Sequence, residues 1–144
     1  MKTADLIRKS SVLAVFAVLT LAACREQFES HYVSSAAAAK DRAIERGWLP
    51  ALLRIDATEI REWHDIDTNE VRGTFSLSEN IKGRLGSECT PSEGAARAIG
   101  STPAWWPDYL VEGQTLPEST NIYRCDNFFV AIDTTAGRGY FWKD

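Results

Sequence analysis

Hydrophobic and polar positions divide the chain into two parts with different patterns. A nearly uninterrupted apolar run extends from Val12 to Ala23, whereas the rest of the chain mixes apolar and polar residues at short spacing. The run is 12 residues long, which is shorter than the roughly 20 apolar residues that a membrane-spanning helix needs. Two lysines and an arginine precede the run. A basic leader followed by a short apolar run is typical of an export signal, so we expect residues 1–23 to be a cleaved signal peptide.

The pattern after the signal peptide predicts a short tether followed by one globular domain. Residues 24–34 are mostly polar and predict an irregular tether, and residues 35–144 carry the apolar positions of a folded domain. Ser35 is predicted to be the N-cap of an alanine-rich helix over 36–47, which ends ahead of Pro50. Shorter helices are predicted at 79–85, capped by Ser78, and at 93–99.

Strand-like alternation predicts antiparallel pairing in two places. Residues 60–64 and 71–77 flank the turn-forming segment 65–69, which predicts a hairpin with a five-residue loop. Further strands are predicted at 121–125, 128–133 and 139–142, because Asp, Asn and Gly occupy the connections between them. We therefore expect an α+β fold with about five antiparallel strands, with helices packed on one face and with one disulfide.

The end of the apolar run carries a specific motif. Leu21-Ala22-Ala23-Cys24 resembles the lipobox of bacterial lipoproteins, which places a leucine and two small residues before a cysteine. The resemblance implies that diacylglycerol is attached to the sulfur of Cys24, that cleavage occurs before Cys24, and that its new amino group receives an acyl chain. Two or three acyl chains would hold the protein stably at a membrane. Arg25 follows, and in this family a residue other than Asp at that position implies the periplasmic face of the outer membrane.

Charge and length narrow the class of partner. The mature chain from Cys24 onward has 121 residues, with 13 basic and 19 acidic side chains and a net charge of −6. This length suits a single domain. An acidic domain is poorly suited to nucleic acid or to anionic lipid surfaces, so we expect no nucleic-acid partner and attachment to the membrane through the lipid alone.

Cysteine use agrees with an exported protein. If Cys24 carries the lipid, Cys89 and Cys125 are the two remaining thiols, and two thiols in an oxidising compartment most simply form one disulfide. The spacing does not match a zinc site. We expect no metal and no cofactor beyond the lipid on Cys24.

The segment around the predicted hairpin turn contains candidate polar ligands. Asp65-x-Asp67-x-Asn69 has the first spacings of a calcium loop, but Glu70 and Ser76 stand where that loop needs Gly and Glu, so a structural turn is favoured. His64 beside Asp65 suggests a metal or proton-transfer pair, although neighbouring strand residues point to opposite faces. The alternative is that His64, Asp65 and Asp67 belong to a polar binding surface.

Aromatic residues cluster in the long loop before the last strands. Trp105, Trp106 and Tyr109 lie within five positions of one another. Exposed aromatics on a loop stack on sugar rings or contact a protein partner. The competing interpretation, which we favour, is that these side chains cover the core of a small domain.

No enzyme signature is present, and we assign no catalytic residue. The chain lacks a nucleophile elbow, a phosphate-binding loop and a zinc-protease helix motif. Two function classes follow. The first is a non-catalytic protein-binding module of the envelope, either an inhibitor or immunity-like protein or an accessory subunit of an assembly. The alternative is a cell-wall glycan-binding or glycan-processing protein.

Three short motifs in the domain resemble a group of small uncharacterised bacterial lipoproteins. The motifs are RGWLP at residues 46–50, HDIDTNEV at 64–71 and YRCD at 123–126. The resemblance implies a discrete domain family and carries no activity with it.

Overall fold

The computed structural model describes residues 26–92 and 97–144, and it contains a single antiparallel sheet. The seven strands are β1 (Gln27–Ser34), β2 (Thr58–Asp65), β3 (Val71–Ser76), β4 (Thr90–Pro91), β5 (Thr120–Cys125), β6 (Phe128–Asp133) and β7 (Arg138–Lys143). The helices are α1 (Ser35–Lys40) and α2 (Glu79–Glu88), with short 3-10 helices at Ala51–Arg54 and Asp108–Leu110. The strand order across the sheet is β1-β2-β3-β7-β6-β5-β4.

The predicted fold class is wrong, because the described residues form a mostly β structure with seven strands rather than an α+β structure with about five. The strands that the sequence analysis did not predict are the two edge strands. Gln27–Ser34, assigned to an irregular tether, is β1, in which the aromatic Phe28 and Tyr32 share one face. β4 has only two residues, too few for an alternating pattern.

Helix content is lower than the sequence predicted. α1 ends at Lys40 because Arg42 adopts a left-handed backbone conformation with a φ of 54°. The hydroxyl of Ser34, one residue before the predicted cap, accepts a hydrogen bond from the backbone N–H of Ala37. The helix predicted at 93–99 lies partly outside the described residues, and its described end is extended, with Ala98 bridged to Val111. α2 is confirmed and is capped by Ser78.

Two separate cores lie on the two faces of the sheet. Neighbouring residues on β6 show this clearly, because Val130 belongs to the first core and Ala131 to the second. The first core packs α1, α2 and the 3-10 helix at 51–54 against β2, β3, β6 and β7. The second core consists of loop residues from 98–116 packed on β5, β6 and β7. The loop therefore performs the covering role that a second layer of helices often performs.

Glycine positions allow the close approach of aromatic rings where β3 meets β7. Gly73 lies opposite Phe141, and Gly139 lies opposite Phe75. A Cβ atom on Gly73 would stand 1.8 Å from Cζ of Phe141, and one on Gly139 would stand 2.0 Å from Cζ of Phe75. Each phenylalanine ring therefore occupies the space that a side chain on the opposing strand would need.

The predicted disulfide forms between Cys89 and Cys125. Cys89 is the C-terminal cap of α2, and Cys125 is the last residue of β5. The bond therefore ties the α2 layer to the β5–β4 edge of the sheet.

Cys24 and the predicted signal peptide lie outside the described residues. Among residues 26–92 and 97–144, no helix is both long enough and apolar enough to cross a membrane.

Candidate binding surface

β1 forms one of the two edges of the sheet. β1 pairs with β2 along one side, from Gln27 opposite Asp65 to Ser34 opposite Thr58, and it is the first strand in the sheet order. In the described part of the chain, no strand pairs with its other side. An eight-residue open edge is a template for another strand, and proteins usually shorten or cover such edges.

The side chains of β1 divide by face. Phe28, Ser30 and Tyr32 lie opposite His64, Glu62 and Ile60, on the face that carries the first core. Glu29 and His31 lie on the other face, where Glu29 contacts Arg61 and His31 Nε2 is 3.7 Å from Glu59 Oε2. Two large apolar side chains of this strand are exposed, Phe28 at 48% and Val33 at 65%. The edge thus presents both apolar and charged side chains to a partner.

A buried polar pair, Glu62 and His64 of β2, lies next to β1 on the face of the first core. Nδ1 of His64 lies 2.6 Å from Oε1 of Glu62, and both side chains are buried. The imidazole ring of His64 stacks with Phe28 at 5.4 Å and with Trp48 at 4.4 Å between ring centroids. Tyr32 donates a hydrogen bond of 2.7 Å from its hydroxyl to Asp41, which fixes the other half of the strand.

Burial sets the protonation of this pair. Burial, together with the negative charges of Asp41 and Glu29, raises the pKa of Glu62 from 4.5 to about 8. Burial lowers the pKa of His64, although the charge of Asp65 opposes that shift. Both directions favour a neutral pair that shares one proton at neutral pH. Because both side chains are buried, a substrate cannot contact the pair in this structure. The His64 ring instead supports Phe28 by stacking against it.

His64 and Asp65, which the sequence placed together, point in different directions. Asp65 Oδ1 accepts hydrogen bonds from the backbone N–H groups of Asp67 and Thr68, and the N–H of Asn69 donates to the Asp65 carbonyl. Asp65 therefore organises the hairpin turn, as the structural interpretation expected, whereas His64 pairs with Glu62. Asp67 is exposed at the tip of the turn. Among the residues described, no three His, Cys, Asp or Glu side chains converge in a way that could hold a metal ion.

Trp105, Trp106 and Tyr109 pack onto the second core. Trp106 is 5% exposed and makes edge-on contacts with Tyr140 and Trp142. Tyr109 packs edge-on against Tyr140 and donates a 2.7 Å hydrogen bond to Asp133. Trp105 is half-buried, with the guanidinium of Arg61 4.9 Å from its ring centroid. The favoured core-covering interpretation describes Trp106 and Tyr109 well.

A cleft of about 330 Å³ beside β5 does not involve these tryptophans. Its lining includes Pro91, Leu116, Asn121 and Tyr123. A sugar-binding groove built around Trp105 or Trp106 therefore does not coincide with this cleft.

Sequence reasoning missed β1, Phe28 and Glu62 as parts of a candidate surface. The available signal for β1 was the spacing of Phe28 and Tyr32, with Glu29 and His31 at the intervening positions. Glu62 gave no signal, because an acidic residue on a predicted strand is normally placed toward solvent.

Comparison with known protein families gives a match to part of the chain. A family model described as the YbbD head domain matches residues 26–76, which span β1 to β3 together with the Glu62–His64 pair. No curated protein and no solved structure matches the chain. The part of the chain from β1 to β3 is therefore similar to the YbbD head domain, which indicates a bacterial family.

Proposed function

We propose that the protein is a lipid-anchored envelope protein whose domain binds another polypeptide chain without catalysis, by accepting an extended strand at the open edge of β1. The observation that carries this proposal is the eight-residue edge, unpaired within the described chain, with Phe28 and Val33 exposed on it. Strand addition of this kind obtains affinity from backbone hydrogen bonds and selectivity from alternate side chains.

The lipobox supports the anchored part of the proposal. Only Arg25 and Glu26 separate Cys24 from β1. Three residue steps extend at most about 11 Å, so a lipid on Cys24 would keep the start of β1 close to the membrane surface. Arg25 favours the periplasmic face of the outer membrane, by the sorting pattern of bacterial lipoproteins. Attachment to this membrane would raise the local concentration of the domain near membrane-bound partners.

Glycan binding is the less supported alternative. It depended on an exposed tryptophan in a groove near a carboxylate, and Trp106 is buried. The neutral, covered Glu62–His64 pair likewise offers no general acid or base to a sugar.

A substitution tests the anchor. We expect Cys24→Ser to abolish incorporation of labelled fatty acid and to move the protein from the membrane fraction to the soluble fraction of lysed cells. Cys89→Ser is the matched control and should keep its label. Unchanged membrane residence of Cys24→Ser would contradict the lipoprotein assignment.

Site-specific photo-crosslinking tests the binding edge. A photoreactive amino acid at Val33 should produce a covalent adduct with a protein in intact cells, whereas the same amino acid at Asn80, exposed on α2, should not. Equal labelling from both positions, or none from Val33, would contradict binding at β1.

A further inference from the structure

We infer that the strand accepted at the β1 edge is β1 of a second copy of this chain, aligned antiparallel about a two-fold axis that passes through Ser30. This inference rests on the proposed function, since it needs the same open edge, and it names the partner. The resulting dimer would contain one continuous sheet that runs through both copies.

Symmetry limits the possible registers. Two identical edge strands in one antiparallel sheet are related by a two-fold axis perpendicular to the sheet, so the axis must pass through a residue position of β1. The central positions that keep seven of the eight strand residues paired are Ser30 and His31. Directly opposed residues in an antiparallel pair lie on the same face and interact.

The side chains on the outer face distinguish these two registers. An axis at His31 would oppose His31 to its own copy and the carboxylate of Glu29 to the apolar Val33. An axis at Ser30 instead opposes Glu29 of each copy to His31 of the other, so that each imidazole can donate a hydrogen bond to a carboxylate on the outer face.

The core-side face selects the same register. With the axis at Ser30, Phe28 of each copy lies opposite Tyr32 of the other, so the exposed Phe28 ring would lie beside the small exposed part of the Tyr32 ring. Phe28 is 48% exposed in the single chain although it stacks on the buried His64 ring. Pairing with a second strand would cover part of this exposed ring. Tyr32 is already held by its hydrogen bond to Asp41, so the second copy would meet an ordered strand.

The predicted lipid anchors are compatible with this arrangement. In the Ser30-centred register, Gln27 of one copy lies opposite Val33 of the other, so the two Gln27 positions are about 20 Å apart along the strands. Both lipids could enter one leaflet if the paired strands lie along the membrane surface. Anchoring in a shared membrane also raises the effective concentration of one copy for the other, which favours pairing through a small interface.

Cysteine crosslinking in the membrane tests the register. Full-length protein carrying Ser30→Cys, in membranes treated with copper–phenanthroline, should form a disulfide-linked dimer because residue 30 lies opposite itself. Glu29→Cys and His31→Cys are the matched controls, and each should give at least five-fold less dimer because the two copies of either residue are diagonal neighbours. Equal crosslinking at all three positions, or more at a control position, would overturn the inference.

A charge exchange provides a second test that does not depend on cysteine geometry. Glu29→Lys removes the carboxylate that accepts a hydrogen bond from His31 of the other copy. It should lower the dimer fraction of the detergent-extracted lipoprotein about ten-fold, as determined from the molar mass of the extracted protein. Adding His31→Glu to that variant places opposite charges across the axis and should restore the dimer. Failure of the double variant to recover, with circular dichroism unchanged, would overturn the pairing.

The crosslinking results also separate this inference from the proposed function. A wild-type lipoprotein that is monomeric in membranes, while the photoreactive group at Val33 captures a different protein, would overturn self-pairing and leave strand binding at β1 supported. Absence of both adducts would overturn both.

Discussion

Glu62 and His64 lie two residues apart on the same face of β2 and bury a polar pair beside the first core. Burial disfavours the charged form of an ionisable group. It therefore raises the pKa of Glu62 and lowers the pKa of His64. The two side chains can therefore share a proton without an external counter-ion, although the buried Oε2 of Glu62 has no hydrogen-bond partner among the described residues. The pair lies beneath Phe28, whose ring stacks on the imidazole of His64.

The raised pKa of Glu62 predicts a pH-dependent stability. Because the folded-state pKa is about 8 and the ordinary value is 4.5, Glu62 binds its proton more tightly in the folded state. Its contribution is complete below pH 4.5 and is lost as the pH rises through about 8. We expect Glu62→Gln, which stays neutral, to gain stability relative to the wild type over this window by an amount on the order of a few kcal/mol.

Urea unfolding at a series of pH values from about 4.5 to about 8.5 measures this difference. His64 is present in both proteins, so most of its own opposing dependence below about pH 6.5 cancels in the comparison. Glu59→Gln, at an exposed position of the same strand, is the control and should parallel the wild type. A difference between Glu62→Gln and the wild type that stays constant with pH would contradict burial of a titrating Glu62.

Individual residues were predicted well from sequence where local chemistry determines them. The turn role of Asp65 follows from its short acceptor side chain, and the disulfide follows from the count of thiols. The Glu62–His64 pair could not be predicted, because its existence depends on the cover that Trp48 and β1 provide from elsewhere in the chain.

At the scale of elements, hairpins with marked turns were predictable and edge strands were not. β2 and β3 were predicted with their turn, and β5, β6 and β7 were predicted from their separators. β1 was missed because the polar Ser30 occupies an inward position between Phe28 and Tyr32. The loop over the second core, within residues 98–116, has no regular spacing of apolar positions. The sequence could therefore suggest only that its tryptophans cover the core.

Gly73 and Gly139, where β3 pairs with β7, leave no space for a larger side chain. We expect Gly73→Ala to lower the free energy of unfolding by about 1–3 kcal/mol, because the new methyl group overlaps the Phe141 ring and must displace it within a packed core. Thermal and urea unfolding of the purified domain would measure the loss.

Gly83→Ala is the matched control for that substitution. Gly83 lies within α2, and outside the backbone of that helix no heavy atom lies within 4 Å of the position that a methyl group would take. Alanine is favoured over glycine inside a helix by roughly 0.5–1 kcal/mol, so this variant should gain stability. A loss at Gly83 equal to that at Gly73 would show that the Phe141 contact is not the cause.

For the whole molecule, the disulfide joins parts that the sheet holds only weakly. β4 contributes two paired residues to β5, and α2 leads directly into β4 through Cys89. The bond between Cys89 and Cys125 spans 36 positions in sequence. Its loss would leave the β4 edge with few other restraints.

We expect the double variant Cys89→Ser/Cys125→Ser to lose about 4 kcal/mol of unfolding free energy. Without the disulfide, the unfolded chain regains the conformational entropy that closing the loop had removed, which stabilises the unfolded state. Urea unfolding compared with the oxidised wild type measures this loss. The reduced wild type should behave like the double variant, and a reduced protein as stable as the oxidised one would contradict this role.

The pairing of β3 with β7 has a consequence for the order of folding. β7 follows every other strand in the chain, yet it lies between the β1–β3 half of the sheet and the β6–β5–β4 half. Neither the first three strands nor the next three can join the other until β7 is present. A chain that emerges from its N-terminus would therefore complete this sheet only after residues 138–143 are available, so the long-range pairing of β3 with β7 is a late step in folding.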